Sequence, residues 1–425
     1  MQLPLFRAAP SAPKRSQKLA QDLTAFREFG EKTRRSMLLT SGSVEGLIEV
    51  PVFTNEFWTA KQRAGHSLHE ISYRACFKPQ LPRFFIERLT KPGERVYDPF
   101  MGRGTSLLEA ALLGRVPLGC DVNPLSTVLV RPRLGPPTLE AVAKRLHEID
   151  FEDAPAVSKA GDLLVFYHPE TLRQIMALKQ YLLRREKTGE LDVVDEWIRM
   201  VAINRLTGHS PGFFSVYTLP PNQATSPVAQ RKINEKRKQT PPVRDVAKII
   251  LKKSKSLMSD LDSKTAATLR RSSSQAVLVT GAAAATPAIK SGSVQLVVTS
   301  PPFLDVVDYA GDNWLRCWFL NVDAKSVSIT TPGKVERWQE AMTEVFHELE
   351  RVLAPGGHVA FEVGEVRHGK VRLEEAVLPC GMAAGLEPLL ILINDQEFTK
   401  TANCWGVDNN DKGTNTNRIV LFCKS

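Results

Sequence analysis

The sequence predicts an α/β protein in which a doubly wound, mostly parallel sheet is interrupted by a mostly helical, basic insertion. A strand–loop–helix–strand unit occupies residues 95–121, and such units build parallel sheets. Strand-like runs return between residue 276 and the C-terminus. Residues 129–274, which separate these two parts, show helical patterns without alternating strands. We therefore expect one interrupted domain rather than three independent ones.

The composition is that of a globular protein. Of the 425 residues, 43% are hydrophobic and 24% are charged, which excludes a wholly disordered or collagen-like chain. The formal net charge of +10 favours a polyanion or an anionic surface as a partner. No apolar run reaches the roughly 18 residues of a membrane span, and the N-terminus lacks the apolar region of a signal peptide. We therefore expect a cytoplasmic protein that does not bind a membrane.

The cysteines give no sign of a metal site. All six are spread along the chain, and no two of them form a C-x-x-C pair. Zinc ribbons and disulfide frameworks use characteristic cysteine spacings that are missing here. We expect no bound metal, and reduced, mostly buried thiols.

The first part of the predicted sheet covers residues 70–128. An apolar helix around residues 81–89 precedes the strand Arg95–Asp98. A glycine-rich loop and a helix from Ser106 to Leu113 follow, and Gly114 ends that helix. The second strand runs from Val116 to Cys120. Residues 1–69 are interpreted as an N-terminal extension with a helical stretch near Ala20–Arg35.

The second part of the predicted sheet covers residues 275–425. Its strand-like runs are 276–279, 294–299, 358–363, 389–393 and 418–423. The segment Val335–Leu353 has apolar residues at helical spacing and is predicted to be a helix that ends before Pro355-Gly356-Gly357. In the insertion, Glu170–Arg185 is a further predicted helix with one apolar side.

The first loop whose residues suit ligand binding is Asp98-Pro99-Phe100-Met101-Gly102-Arg103-Gly104-Thr105, where a strand turns into a helix. Glycine lets the backbone approach a ligand closely, and a helix N-terminus offers free N–H groups to an anionic group such as a carboxylate. Asp121 follows the next strand, where a carboxylate can accept hydrogen bonds from a ribose diol. A dinucleotide-binding motif is disfavoured because Leu107 stands where G-x-G-x-x-G requires its third glycine.

The second loop is Thr299-Ser300-Pro301-Pro302-Phe303, directly after an apolar strand. Two consecutive prolines cannot donate ladder hydrogen bonds, so the strand must end there and the loop is stiff. A stiff loop with a hydroxyl, a carbonyl and an aromatic ring suits a planar substrate with an amino group. Ligand sites of doubly wound sheets lie at the carboxyl ends of strands, so we expect both loops to lie side by side.

These two motifs resemble the paired signatures of DNA amino-methyltransferases, which transfer a methyl group from S-adenosylmethionine to an exocyclic nitrogen of cytosine or adenine. Arg351-Val352-Leu353-x-Pro355-Gly356-Gly357 resembles the turn into the fifth strand of that fold. The cofactor loop precedes the catalytic loop with a long insertion between them, which resembles the α-type order. The resemblance covers about half of the chain and implies a Rossmann-like class I methyltransferase sheet, with residues 70–128 and 275–425 as the two parts of its catalytic domain.

The resemblance also implies roles for individual residues. Phe77-Lys78-Pro79 resembles the segment that closes over the methionine moiety. The residues implied in binding S-adenosylmethionine are Phe77, Lys78, Pro79, Asp98, Pro99, Phe100, Gly102, Gly104, Thr105 and Asp121. The residues implied in catalysis are Ser300, Pro301, Pro302 and Phe303. One departure is Gly281-Ala282-Ala283, because the family often has an acidic residue after this glycine, positioned for the cofactor's adenine.

The serine before Pro-Pro resembles the branch that methylates N4 of cytosine, although Phe303 replaces a commoner tyrosine. The cytosine amino nitrogen is a poor nucleophile because its lone pair is delocalised into the ring. If the Ser300 hydroxyl and the Pro301 carbonyl accept its two hydrogens, the lone pair is aimed at the activated methyl group. Phe303 would stack on the base, which has to be flipped out of the duplex. Pro379-Cys380 superficially resembles the nucleophile of C5-cytosine methyltransferases but follows the wrong strand.

The insertion holds most of the net positive charge. Ten lysines and arginines lie between residues 228 and 256, against only two acidic residues. A solvated charged face is the usual explanation of such a run, but within this insertion we expect phosphate binding. The residues expected to contact DNA are Arg231, Lys232, Lys236, Arg237, Lys238, Phe213, Phe214 and Tyr217, with Asn222 nearby.

The implied partner is double-stranded DNA, and whether the protein also has a cognate restriction endonuclease stays open. The sequence leaves three alternatives to cytosine N4 methylation. The catalytic loop also suits N6 of adenine. An RNA base methyltransferase would need a domain that reads 2′-hydroxyls, and none is recognisable. A catalytically inactive DNA-binding protein on the same fold is opposed by the intact glycines and the intact Ser300-Pro301-Pro302-Phe303.

Overall fold

The structure, a computed structural model, describes residues 14–41, 47–58, 65–74, 76–154, 161–218, 224–302, 308–324, 327, 334–366, 371–395 and 416–425. The strands are β1 (Arg34–Ser41), β2 (Leu47–Asn55), β3 (Arg95–Asp98), β4 (Val116–Asp121), β5 (Val277–Thr280), β6 (Val294–Thr299), β7 (Leu353–Val366), β8 (Val371–Arg372), β9 (Glu387–Asp395) and β10 (Thr416–Cys423).

The helices surround and interrupt these strands. They are α1 (Lys14–Ala25), α2 (Gln80–Leu89), α3 (Thr105–Leu112), α4 (Pro124–Leu134), α5 (Leu139–Glu148), α6 (Pro169–Thr188), α7 (Val193–Ile203), α8 (Pro227–Arg237), α9 (Val246–Leu257), α10 (Ser263–Ser273), α11 (Tyr309–Leu320), α12 (Val335–Val352) and α13 (Leu373–Ala383). Among the described helices, none is long and apolar enough to span a membrane.

The described strands form one mixed sheet in the order β1-β2-β9-β10-β7-β6-β3-β4-β5, with β8 paired to β7. The pairs β4–β5, β3–β4, β3–β6 and β6–β7 are parallel, and β10 runs antiparallel between β7 and β9. The chain winds outward from β3 to β5 on one side and from β6 to β7 on the other. The predicted doubly wound α/β sheet is therefore confirmed, with its switch point between β3 and β6.

Helices cover both faces of the sheet, which explains why its central strands are apolar on both sides. On β7, Ala360 packs on the face covered by α1 and α2, while Phe361 packs on the face covered by α12 and α13. This alternation is the two-residue period of a strand. The predicted helix Val335–Leu353 is confirmed as α12, whose Trp338 and Phe346 are fully buried against the sheet.

The N-terminal region differs from the prediction. The helical stretch expected near Ala20–Arg35 is confirmed only up to Ala25, where α1 ends, and β1 begins at Arg34. Gly30, with φ +92°, turns the chain between them. The strands β1 and β2 extend the sheet beyond β9, so residues 34–55 are part of it and not of a separate extension. The edge strand β1 exposes Met37 and Leu39, which weakens the apolar alternation that would reveal it.

The insertion shares one apolar core with α3, α4 and α11 beside the sheet. Helices α5, α6, α7 and α9 meet around the buried indole of Trp197, whose Nε1 donates to Ser254 Oγ at 2.9 Å. The predicted helix Glu170–Arg185 is confirmed as α6. The described residues between α4 and β5 hold no strand of the sheet, as the helical pattern predicted. The insertion is thus a packed helical unit that is joined to the sheet through a shared core.

Candidate active site

The two predicted loops meet at the switch point of the sheet. Asp98 ends β3 and Thr299 ends the neighbouring strand β6, and Thr299 Oγ1 donates a hydrogen bond of 2.6 Å to Asp98 Oδ1. Ser106 Oγ, in the first turn of α3, donates to the carbonyl of Val298 at 2.9 Å. These contacts lock the two loops together, so that a ligand bound to one loop lies beside the other.

Asp98 is a buried carboxyl at this junction with a raised pKa. Its side chain is 2% exposed, and burial raises the pKa of its carboxyl to about 6, although hydrogen bonds from Thr299 and the Phe100 amide oppose the shift. The Phe100 amide donates to Oδ1 at 3.1 Å. A carboxylate held at the edge of its ionisation range responds strongly to a cationic ligand, which would draw it into the charged form.

The glycine loop is held in shape by Asp121 at the end of β4. The Gly102 amide donates to Asp121 Oδ2 at 2.8 Å, and the Asn123 amide donates to Oδ1 at 2.8 Å. Burial raises the pKa of Asp121 despite these bonds. Each carboxylate oxygen accepts more than one hydrogen bond, so Asp121 can still receive donors from a ligand.

Gly104 has two separate reasons to be glycine. It precedes α3 with φ +76°, a left-handed conformation that other residues adopt only with strain. A Cβ at this position would also lie 2.4 Å from Cγ2 of Val130 in α4. The absence of a side chain therefore lets α4 pack closely behind the loop and fixes the position of the α3 N-terminus.

Arg133 of α4 holds the same loop by hydrogen bonds to backbone carbonyls, a role that was not predicted from the sequence. Its side chain is 1% exposed, and its guanidinium donates to the carbonyls of Arg103, Leu68 and Leu129. Burial lowers the pKa of Arg133 to about 9. The side chain of Arg103 in turn donates to the carbonyl of Ile71 at 3.0 Å. The loop is thus tied to the segment that precedes α2.

The predicted catalytic loop is held from α12. Trp338 Nε1 of that helix donates to the Pro302 carbonyl at 3.0 Å. Glu362 is a 4% exposed carboxylate in β7, and its Oε1 accepts from Asn417 Nδ2 of β10 at 3.0 Å. Burial raises the pKa of Glu362, and its interactions with Ser300 and Asn417 oppose the shift.

A single cavity opens over these groups. The predicted residues that line it are Phe77, Asp98, Pro99, Phe100, Gly102, Thr105, Asp121, Ser300 and Pro302. Four predicted residues do not line the cavity: Lys78, Pro79, Gly104 and Pro301. Pro79 instead precedes α2, and Gly104 precedes α3. Phe303 lies outside the described residues. The structure therefore brings most of the predicted cofactor residues and two of the catalytic ones to one site.

Further lining residues were not predicted. They are Tyr73, Cys76, Met101, Val122, Ala282, Ala283, Ala284, Ala341, Met342, Glu344 and Val345. Ala341 to Val345 belong to α12, whose sequence pattern indicated only a helix packed on the sheet. A pattern of apolar spacing shows which face of a helix is buried but not what that face meets. No local signal could have placed Glu344 at the cavity.

The predicted DNA-contacting residues fall into two groups. The five cations are exposed along α8 and just beyond its end: Arg231, Lys232, Lys236, Arg237 and Lys238. Arg237 stacks on Tyr217, with 3.8 Å between its guanidinium carbon and the ring centroid. The prediction for Phe214 is corrected, since its side chain is fully buried in the helical core and cannot stack on a base. Phe213 is 8% exposed and packs under Arg205. Asn222 lies outside the described residues.

Other reactive groups are not gathered into a site. Within the described part of the chain, no cluster of histidine, cysteine or acidic side chains could hold a metal ion. Cys380 lies in α13, where its Sγ is near the carbonyls of Ala376 and Gln339, and burial raises the pKa of its thiol. It is not among the residues that line the cavity, so its resemblance to a catalytic cysteine has no support in the structure.

Comparison with known proteins agrees with this site. Residues 31–126 match a family model described as DNA methylase. Type II methyltransferase M.MvaI of Kocuria varians is 35% identical over 99 residues, which are 23% of this chain and 20% of that protein. Type II methyltransferase M.BsoBI of Geobacillus stearothermophilus is 23% identical over 299 residues, 66% of this chain and 58% of that protein.

A relative named for a different substrate also matches. The tRNA (guanine(10)-N2)-dimethyltransferase of Methanocaldococcus jannaschii is 29% identical over 103 residues, 22% of this chain and 29% of that protein. Each alignment thus spans less than two thirds of the relative concerned. The family model contains β3, the glycine loop and Asp121, which are the parts of the cavity argued above to suit a cofactor. Residues 31–126 are therefore similar to the amino-methyltransferase family, and the comparisons do not separate its N4 and N6 branches.

Proposed function

We propose that the chain methylates an exocyclic amino group of a DNA base, with N4 of cytosine as the preferred target. The observation that carries this proposal is the position of Ser300. Ser300 lines the same cavity as Asp98 and Asp121 and interacts with the buried carboxyl of Glu362. A hydroxyl near a buried carboxyl and beside a cofactor cavity suits an acceptor for an amino hydrogen.

The residues of the cavity suit S-adenosylmethionine. Asp98 is a buried carboxylate that would pair with the ammonium of the methionine moiety, and Asp121 would accept from the ribose diol. The backbone of the glycine loop and the N-terminus of α3 face the side on which the methionine carboxylate would lie. When bound, the cofactor supplies an activated methyl group on a sulfonium, which is already a good leaving group.

The chain would accelerate methyl transfer mainly by orienting the substrate amino group and by stabilising the positive charge that develops on it. Ser300 would donate its single hydroxyl hydrogen to Glu362, with which it interacts, so its lone pairs would remain to accept a hydrogen from the substrate amino group. The stiff Pro301-Pro302 turn, held by Trp338, keeps that hydroxyl and the Pro301 carbonyl at fixed positions. As the amino nitrogen becomes positive during methyl transfer, the carboxylate of Glu362 would stabilise it through Ser300.

The basic surface supports DNA as the substrate. Lys236, Arg237 and Lys238 are exposed on one short segment, as phosphate contacts require. The stretch before α8 is attached to α11, since Trp314 Nε1 donates to the Thr225 carbonyl at 3.2 Å and the Ala224 amide donates to the Asp312 carbonyl at 3.1 Å. Helix α11 follows the catalytic loop in the chain. The segment that leads into the basic helix α8 is therefore bonded to an element close in sequence to that loop.

The decisive experiment identifies the product. Purified protein is incubated with labelled S-adenosylmethionine and duplex DNA of mixed sequence, and the digested nucleosides are identified by mass. N4-methylcytosine is the expected product. N6-methyladenine would move the chain to the other branch of the family, and absence of transfer to any DNA would overturn the proposal.

A second candidate is base methylation of RNA, because one relative is a tRNA dimethyltransferase. The same assay with transfer RNA as substrate decides between the two. Methylation of RNA but not of DNA would replace the proposed function with this one.

The pH dependence of cofactor binding should report on Asp98. The pKa of its carboxyl is raised to about 6, so the carboxylate that pairs with an ammonium is mostly present at pH 7 and mostly lost at pH 5. We expect the dissociation constant of S-adenosylhomocysteine to increase about tenfold from pH 7 to pH 5 in calorimetric titrations. The Asp98→Asn variant should bind more weakly with a flat pH profile. A flat profile in the wild type would contradict the role of Asp98.

Replacing Glu362 by glutamine should slow methyl transfer without weakening cofactor binding. Glutamine still accepts a hydrogen bond from Ser300 but lacks the negative charge, so we expect a single-turnover rate about 100-fold lower. Because burial penalises the ionised form of Glu362, the melting temperature should stay equal or rise. The control is Glu387→Gln, a carboxyl whose pKa is also raised by burial but which begins β9, separated from β7 by β10 and paired with Cys423 at the end of β10. An unchanged rate in the Glu362 variant would remove this residue from the mechanism.

A further inference from the structure

One side of the cavity has no polar group from the strand that borders it. After β5 the chain continues as Ala282-Ala283-Ala284, and all three residues line the cavity together with Val122. These small apolar side chains leave room for a flat ring and can contact its faces, but they cannot recognise its polar edge. A ring bound there needs a hydrogen-bonding partner from another element.

Helix α12 supplies the third carboxylate of the cavity. Besides Asp98 and Asp121, the only acidic residue among the described lining residues is Glu344. The side chain of Glu344 is exposed, and it forms no hydrogen bond or ion pair within the described part of the chain. Unlike the other two carboxylates, it has no role in holding a loop. It is therefore free to receive a donor from a ligand.

The position of Glu344 relative to the alanines is fixed by the next turn of α12. Glu348, four residues later on the same face, accepts from the Thr286 amide at 2.7 Å. Arg351 donates to the carbonyls of Thr286 and Ile289, each at 3.1 Å, and also binds Glu348. This clamp fastens the segment after β5 to α12. Glu344 lies one turn nearer the start of the helix, where the same segment passes along the cavity as Ala282–Ala284.

We propose that Glu344 accepts a hydrogen bond from the exocyclic amino group of the cofactor's adenine and thereby selects adenine. This inference rests on the proposed cofactor site, in which Asp121 holds the ribose. The adenine amino group carries two donors and no acceptor, so a carboxylate suits it and would reject a ring that lacks the amino group. The specificity of the site would then come from α12 rather than from the segment after β5.

The test compares two ligands by calorimetric titration. One is S-adenosylhomocysteine, and the other is its analogue in which hydrogen replaces the amino group of the adenine. The wild type should bind the first about tenfold more tightly, as expected for a hydrogen bond to a charged acceptor. In Glu344→Ala the two affinities should become equal within about twofold. Glu344→Gln, which keeps an oxygen acceptor, should retain part of the preference.

The matched control is Glu340→Ala, which removes the same charge one turn earlier on α12 from an exposed residue that does not line the cavity. It should keep the tenfold preference of the wild type. If Glu344→Ala keeps it as well, the role of Glu344 is wrong although the cofactor site stands. If the wild type fails to bind S-adenosylhomocysteine, the proposed cofactor site is wrong and this inference falls with it.

Discussion

Replacing Ser300 by alanine should reduce the rate of methyl transfer by about 100- to 1,000-fold while leaving the affinity for S-adenosylhomocysteine unchanged. This is the size of effect seen when a preorganised hydrogen-bonding group is removed from a reacting centre. Ser300 touches the cavity from the end of β6, on the side where a substrate amino group would meet the methyl group. Alanine keeps the shape of the loop and removes only the hydroxyl.

Cofactor affinity and single-turnover rate have to be measured on the same preparations. The matched control is Ser293→Ala, just before β6, where the hydroxyl donates to the Lys290 carbonyl at 2.6 Å, far along the strand from the loop. Its rate and affinity should equal those of the wild type. Full activity of Ser300→Ala would refute the proposed mechanism. A loss of cofactor affinity in that variant would instead assign Ser300 to the cofactor site.

The second large effect is expected at the basic segment. Changing Lys236, Arg237 and Lys238 to glutamine should weaken binding to duplex DNA about 100-fold at 0.1 M salt. Each phosphate contact that is lost removes about 0.9 from the slope of log affinity against log salt, so the slope should become shallower by about 2 to 3. The three residues are exposed, and only Arg237 has a packing contact of note, its stacking on Tyr217.

A variant of equal charge change tests whether position matters. Lys264, Arg270 and Arg271 are exposed on α10, which packs against α3 and the sheet rather than continuing the basic segment. Their replacement by glutamine should change the salt slope by much less than the first triple variant does. Equal slopes for both variants would mean that DNA affinity depends only on the net charge of the chain. An unchanged slope in the first variant would exclude this segment as the DNA-binding surface.

The loops of the site were predictable because their chemistry is local. Gly102 and Gly104 mark a backbone that turns sharply at a strand end, and Pro301-Pro302 ends a strand wherever it occurs. Their mutual approach followed from a general rule on where parallel strands place their carboxyl ends. The hydrogen bond from Thr299 to Asp98 is the direct evidence of that approach.

The partners of the loops were not predictable, because each comes from a distant element. Glu362 reads in the sequence as one polar residue within an apolar strand, and only the pairing of β6 with β7 and of β7 with β10 brings it to Ser300 and Asn417. The prediction for Phe214 was wrong for the opposite reason, because it expected an exposed side chain. It lies in a polar, proline-rich stretch that is typical of an exposed loop, yet it is fully buried among the helices of the insertion.

By itself, the sequence determined the class of fold, the interruption by a basic helical insertion and the two loops at the centre of the sheet. These features depend on residue types that restrict the nearby backbone or repeat with the period of a helix or strand. The tertiary structure alone decided that β1 and β2 belong to the sheet and that Arg133, Glu362 and Glu344 belong to the site. The physical reason is that burial and hydrogen bonding of a side chain depend on elements far away in the chain, whose approach no local pattern encodes.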